Sequence, residues 1–520
     1  MIEKYYSGVI EQIYNRIGKE TRNIVMANYS NDFSIENLEV IRRYQSNEDN
    51  VFFAYSEFSY NTLVGAYEPF LDIICNMHRH FIGGSFDDFQ KECGVYYLHR
   101  QVLNSYYETG ECFREETVLL NEVAYEQRRM TKAIVDMLKR LSEVRPLMIV
   151  INRFQMASKS SIETIKYLID NPCTNIGIVL GVNVQVKGTD STVEVWDRIV
   201  ESLEDRSAIY YIGSAGQQKN HIRDTSDDEL YITTNFEQSI QEASNIMEFL
   251  DYEQARRGCR IIEHKIKFED AWIDEKSLRR FYLIYARTSV LLGEMSKAIE
   301  LTNEYKVLIP ESDSEHYFSI YYFMKGTCYM YQGKLEKAEG CAKKAYDYAL
   351  LADDELLEFK SELLSVMIKM SGWYNIFFCV QDIPVSDEFI EKIIKHGYRN
   401  HLAHIYIYAY DNSRDVVKQS FYDESLLKHF TKGLELAKKI ENEQLVYDAY
   451  QKTIMLASTN GLNEIAFLYV IRTYEFMKEH GNIYVARVLT AIGYNLSAMG
   501  KNELVDDYYD AAINMLYYLK

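Results

Sequence analysis

"PLMIVINRFQMASKSSIETIKYLI", residues 146–169, decides how the first part of this chain is read. Leu147 to Ile151 form an unbroken apolar run between Pro146 and a polar turn, and residues of helical spacing follow. A run that short, rich in branched side chains, fits a strand buried on both faces of a sheet. It leaves the sheet at Asn152 and Arg153, a neutral amide followed by a cation.

Similar runs lie on either side. "NIVMA" (23–27), "VFFAY" (51–55), "IGIVLGV" (176–182) and "AIYYI" (208–212) are further strand candidates. Between them the apolar period changes to that of a helix. In 130–144 it selects Met130, Ala133, Ile134, Met137, Leu138, Leu141 and Val144, the one-sided stripe of an amphipathic helix. Strands alternating with helices predict a parallel sheet covered on both faces.

The strand signal fades after "GSAGQQKNHIRDTSDDE" (213–229), a polar stretch with two glycines. The chain is therefore read as an α/β domain over 1–215, a linker over 216–238 and an all-α domain over 239–520. Its 520 residues exceed what one core organises. The net charge of −20 opposes non-specific attraction to nucleic acid or anionic lipid. No run approaches the ~18–20 apolar residues of a membrane helix. The first twenty residues read as an amphipathic helix rather than a signal peptide, so a cytoplasmic protein is expected. The cysteines at 75, 93, 112, 173, 259, 328, 341 and 379 share no C-x-x-C spacing and are expected to be reduced.

The second part repeats. "LLGEMSKAIEL" (291–301), "YQGKLEKAEGC" (331–341), "TNGLNEIAFLY" (459–469) and "AMGKNELVDDYYDAA" (498–512) each carry a glycine and, five residues later, a small or apolar residue. The pairs are Gly293/Ala298, Gly333/Ala338, Gly461/Ala466 and Gly500/Val505. Gly293 and Gly333 are 40 residues apart, and Gly461 and Gly500 are 39 apart. A weaker copy, "FLDYEQARRG" (249–258), precedes them. Glycine supplies the left-handed turn that stops one helix, and the small residue lets the next approach. Helix pairs of this kind must stack to bury their apolar faces. Residues 240–520 resemble tetratricopeptide repeats with long helices, although 350–450 matches the pattern poorly. The resemblance implies a solenoid whose groove takes a protein or peptide.

The opening stretch itself resembles the Walker B strand of the STAND class of signalling ATPases. Phe154, Gln155, Ala157 and Ser160-Ser161 fit that frame, as do "YEPFLDII" (67–74) and "NIGIVLGVN" (175–183). The resemblance spans about 20–215 and implies a P-loop-NTPase-like α/β domain ahead of the tetratricopeptide-like solenoid. The nucleotide apparatus, however, is degenerate. A phosphate loop of the form G-x-x-x-x-G-K-[ST] needs glycines to bare its amides and a lysine for the phosphates, and no such sequence occurs. After the first strand stands "NYSNDFSIENL" (28–38), where Asp32 and Glu36 would repel phosphate. Asn152 and Arg153 occupy the two acidic Walker B places, and an amide supplies no charge for magnesium. No cofactor and no catalytic residue are assigned.

His401 and His404, with His396 upstream, and the pair His78 and His80 lack a third ligand at helical spacing, so no metal site is assigned. No G-x-S-x-G or H-E-x-x-H occurs. The better functional bet is the repeat groove, where Tyr317, Tyr321, Tyr322 and Tyr329 would present rings to a partner; the competing reading is that they fill seams between helices. Three functions follow: a non-catalytic signalling scaffold, with a pseudo-ATPase domain and partner-binding repeats; a peptide- or ligand-responsive regulator; and an NTPase with an unconventional site. The sequence shows no output domain after the repeats, so output through a partner is expected. The apolar Leu516, Tyr517, Tyr518 and Leu519 suggest a homodimer through the last helix.

Overall fold

The computed structural model describes residues 2–30, 38–45, 50–59, 63–185, 193–206, 208–212, 236–268, 273–374, 385–408, 424–459, 462–480, 489–490, 492–493, 496–497 and 500–518. The chain forms two compact units, Met1–Glu311 and Ser312–Lys520.

The five apolar runs are the five strands of one parallel sheet in the first unit: β1 (Ile24–Tyr29), β2 (Phe52–Glu57), β3 (Leu147–Asn152), β4 (Ile176–Asn183) and β5 (Ile209–Ile212). Their order is β2-β3-β4-β1-β5. All residues of β3 and β4 are buried, whereas those of the edge strand β2 are half-buried. This is what unbroken apolar runs require at the centre of a covered sheet. Helices α1 (Ile2–Arg16) and α2 (Glu39–Gln45) cover one face, where Ile10, Ile13 and Ile41 join Val25, Ala27, Met148, Val150 and Val179 in one core.

Between β2 and β3 the chain makes four helices, α3 (Phe70–Met77), α4 (Phe86–Glu92), α5 (Tyr97–Thr109) and α6 (Val123–Val144). The predicted stripe on α6 is realised from Met130 to Leu141, all buried, while Val144 is exposed at the helix end. Two more helices, α7 (Lys159–Asp170) and α8 (Val193–Glu204), follow β3 and β4. Ser158 caps α7 by accepting from the Ser161 amide, as a short hydroxyl residue at that place should.

Two helical pairs complete the first unit: α9 (Phe236–Glu248) with α10 (Tyr252–Phe268), and α11 (Glu275–Leu291) with α12 (Met295–Val307). Thus the repeats begin inside the compact unit that holds the sheet. The polar stretch 213–229 lies outside the described residues.

In the second unit the described elements are all helices. It runs through α13 (Ser314–Tyr331), α14 (Leu335–Leu351), α15 (Glu355–Tyr374), α16 (Asp387–Lys395), α17 (Arg399–Tyr408), α18 (Glu424–Lys439), α19 (Glu443–Thr459) and α20 (Asn463–His480), with a further helix at Val505–Tyr518. The protein is therefore an α/β domain with a parallel sheet followed by helical repeats. Gly293, Gly333 and Gly500 take the left-handed conformation foreseen for them, with φ of 77°, 71° and 73°. Ala298, Ala338 and Ala466 are fully buried at their helix contacts. Gly461 lies outside the described residues, as do Leu519 and the side chains of Leu516, Tyr517 and Tyr518.

The poorly matching middle has a repeat of its own. Asp353, Gly397 and Glu441 all adopt positive φ, of 52°, 73° and 55°, and each is 44 residues from the next. Each closes a helix with the same hydrogen bonds: Asp354 N donates to Ala349 O at 3.1 Å, Tyr398 N to Ile393 O at 3.2 Å, and Asn442 N to Ala437 O at 2.9 Å. Two of the three turns use an acidic residue where glycine was the signal, so the glycine spacing went unseen. A buried amide pair, Asn442 Nδ2 donating to Asn400 Oδ1 at 2.7 Å, joins neighbouring units of this middle part.

Candidate functional site

The carboxyl ends of β1, β3 and β4 are where an open α/β sheet presents ligands. Register places Tyr29 opposite Asn183, and Ala27 opposite Gly181. Asn152 follows the Ile151–Leu180 pair, so it stands level with Gly181. The Tyr29 hydroxyl donates to Asn152 Oδ1 at 2.6 Å. Tyr29 is 1% exposed and Asn152 is fully buried. Tyr6 of α1 packs edge-on against the Tyr29 ring, with centroids 6.4 Å apart.

The neighbouring positions are committed to one another as well. Arg153 takes a left-handed conformation, φ 55°, and its Nη1 lies 3.1 Å from Glu57 Oε1 at the end of β2. The Tyr55 hydroxyl donates to the same carboxylate. Gln155 Oε1 accepts from the Asn183 amide at 3.2 Å, tying the turn after β3 to β4. Phe154 and Ala157 are fully buried beneath that turn.

The Asn152 side-chain oxygen is thus engaged by the Tyr29 hydroxyl. An aromatic residue ends β1 where bare amides would have to begin. The described helix after β1, Glu39–Gln45, opens on Glu39. The carboxylate of Glu57 is neutralised by Arg153. Residues 31–37, with Asp32 and Glu36, lie outside the described residues.

Behind the site, the N-terminus of α7 is occupied from within the chain. Asp251 Oδ2 accepts from the Ser160 amide at 3.0 Å, and the Ser160 hydroxyl accepts from the Tyr67 amide at 2.9 Å. Asp251 is 4% exposed; burial raises its carboxyl above the usual range, against the lowering effect of the Ser160 hydrogen bonds. Such a carboxylate satisfies amides left free at a helix start. Further polar contacts lie in the same unit. Arg114 Nη2 donates to Glu248 O at 2.7 Å, Arg287 Nη2 to Glu248 Oε1 at 3.0 Å, and His99 Nε2 lies 3.0 Å from Glu126 Oε2. Burial lowers the His99 pKa, against the raising effect of Glu126.

The tyrosines of α13 fall in different places. Tyr321 is 3% exposed, and its hydroxyl accepts from Lys325 Nζ at 2.7 Å. Tyr322 is half-buried and stacks on Tyr348 of α14, with centroids 5.6 Å apart and planes 9° apart. Both rings thus have packing roles. Tyr317 and Tyr329 are half-buried, with Tyr317 edge-on to His316 and Lys337 Nζ 5.9 Å from the Tyr329 ring centre.

His401 and His404 are buried at 3% and 2% exposure, and His396 stacks on Phe359 at 4.3 Å. His78 sits among Phe86, Phe89 and Tyr107, and exposed His80 bonds the Asn76 carbonyl. Among the described residues, no three His, Cys, Asp or Glu side chains are grouped to hold a metal. Also among them, no helix is long and apolar enough to cross a membrane. Seven cysteines are free thiols; Cys379 lies outside the described residues.

Sequence reading located Asn152 and Arg153 but missed Tyr29, Glu57 and Asp251. Tyr29 carried one signal: a bulky ring where a phosphate loop would place glycine.

No family model and no curated protein matches the chain. Several solved structures match distantly. A Signal Transduction ATPase with Numerous Domains (STAND) protein with a tetratricopeptide repeat sensor, from Pyrococcus horikoshii, is 12% identical, covering 95% of this chain and 87% of that one, with a TM-score of 0.43. A Rap protein complexed with competence and sporulation factor is 15% identical over 54% of this chain and 76% of that one, with a TM-score of 0.37. NprR in complex with its cognate peptide NprX is 14% identical over 54% and 78%, with a TM-score of 0.32.

Proposed function

We propose that this chain is a non-catalytic signalling or scaffold protein of the cytoplasm. In this reading a pseudo-ATPase domain (1–215) and a linker (216–238) precede helical repeats (239–520) that bind a protein or peptide. The observation that carries the reading is the hydrogen bond from Tyr29 to Asn152. In this reading the buried Tyr29 ring takes space that a nucleotide would need, and its bond engages the oxygen that would face a metal. The Arg153–Glu57 pair supports the same reading, since it replaces an acidic strand end with a neutralised one.

Partner binding is proposed for the repeats because stacked helix pairs commonly offer a concave surface to a partner. Tyr317 and Tyr329 are the rings best suited to it, being half-buried and outside the Tyr322–Tyr348 stack. A second version of the function, a regulator that switches when its groove is filled, is favoured by the continuity between the first helical pairs and the sheet-bearing unit.

The test is a hydrolysis assay on the full chain with ATP and magnesium. The expected result is phosphate release equal to the buffer blank, unchanged in Asn152→Ala. Release above the blank that Asn152→Ala abolishes would replace this reading with an unconventional NTPase.

A further inference from the structure

The turn between α9 and α10 repeats the geometry of the glycine turns without a glycine. Leu250 N donates to Met247 O at 2.9 Å and Asp251 N to Ile246 O at 3.2 Å. Gly293 and Gly333 close their helices through the same pair of bonds, to Val290 and Ser289 and to Met330 and Tyr329. Leu250 stands at the glycine position with φ 69°. A branched residue in that region is strained and persists only when its surroundings over-determine it.

The surroundings do so from two sides. Toward the sheet, the Leu250 carbonyl accepts from Gln127 Nε2 of α6 at 2.7 Å. Phe249 packs edge-on against Tyr67 and Tyr106, with centroids 6.3 and 5.3 Å away. Asp251 holds the Ser160 amide at the start of α7, the helix that follows Asn152, Arg153 and Gln155. Toward the next helical pair, Glu248 accepts from Arg287 of α11. One five-residue stretch, 247–251, therefore joins the start of α7 to the second pair of repeat helices.

We propose that this strained turn is the transmission element of the chain: displacement of α11 acts through Arg287 on Glu248, lets the turn at Leu250 relax, and releases Asp251 from the N-terminus of α7. The proposal stands on the geometry of the first unit alone and does not depend on whether nucleotide binds. Coupling between two sites requires an element that both can bias, and this stretch is bonded both to the start of α7 and to α11.

Hydrogen exchange on the full chain tests it. Arg287→Ala touches nothing on α7, yet amides of 159–164 should exchange about fivefold faster or more than in the unaltered protein. Arg279→Ala, on the same helix but bonded to the Leu308 carbonyl, should leave 159–164 unchanged. Where Arg287→Ala fails to fold, Arg287→Lys, which keeps the charge but not the guanidinium geometry, takes its place. Unchanged exchange at 159–164 in the Arg287 variant would overturn the proposal. So would equal acceleration in the Arg279 variant, because that would be general loosening.

Discussion

Tyr29 and Asn152, 123 residues apart in sequence, are joined by a 2.6 Å hydrogen bond between β1 and β3, the two strands that flank β4. Both side chains are buried, so removing one partner strands the other away from water. Tyr29→Phe should destabilise the protein by about 1–3 kcal/mol, the usual cost of a buried acceptor left unpaired. Urea denaturation would measure it, with an unchanged slope showing that the fold is retained. An unaltered midpoint would mean that the bond contributes nothing.

The helical hairpins rest on close backbone approach. A methyl group at Gly433 of α18 would lie 2.8 Å from Ile407 Cγ1, 3.0 Å from Tyr406 Cβ and 3.2 Å from the Ile407 amide nitrogen. Backbone cannot yield as a side-chain tip can, so Gly433→Ala should cost about 1–3 kcal/mol. Gly340 on α14 has open space around it. Gly340→Ala should instead stabilise by ~0.5–1 kcal/mol, because glycine is the poorer helix former. Opposite signs in one thermal-unfolding series would verify the packing.

His99 makes stability depend on pH. Its burial holds the ring neutral and lowers its pKa from the ordinary 6.5, against hydrogen bonding and attraction from Glu126 and with Arg114 and Arg129 nearby. A proton therefore binds the unfolded chain more readily than the folded one. Its stabilising contribution is present above pH 6.5 and is lost as pH falls below that value, with a limit of ~1.4 kcal/mol per pH unit for one group. His99→Gln should flatten the stability profile on the acid side of 6.5, measured by urea denaturation at several pH values. A profile identical to the parent's would exclude His99 as the source.

The aromatic residues of α13 should separate into two classes. Tyr322→Ala removes a ring stacked on Tyr348 and should lower stability by about 1–3 kcal/mol. Tyr317→Ala and Tyr329→Ala should change stability less but weaken a groove-bound partner about tenfold each, a loss of ~1.4 kcal/mol. Calorimetric unfolding and partner titration on the same three variants would check this. Loss of binding confined to Tyr322→Ala would reverse the assignment.

How much of this was legible in the sequence depends on the range of each interaction. The strands were readable because burial on both faces leaves an unbroken apolar run, as in Leu147–Ile151. The end repeats were readable because a left-handed turn prefers glycine, as at Gly293 and Gly333. Leu250, Asp353 and Glu441 adopt the same conformation without that marker, and tertiary contacts supply what local preference does not. The candidate site was half readable. Asn152 and Arg153 at the end of an apolar run are a local fact, but their partners Tyr29 and Glu57 come from other strands. No local pattern reports a bond between residues brought together only by sheet order.

Binding of ATP in the presence of magnesium, followed by isothermal titration of the full chain, tests the central claim most directly. With Tyr29 on Asn152 and Arg153 on Glu57, the account predicts no saturable heat up to about 1 mM ATP and no shift in unfolding temperature, whereas a native-state ligand at 100 times its Kd would add ~2.7 kcal/mol of stability. Saturable binding that Asn152→Ala abolishes would contradict it.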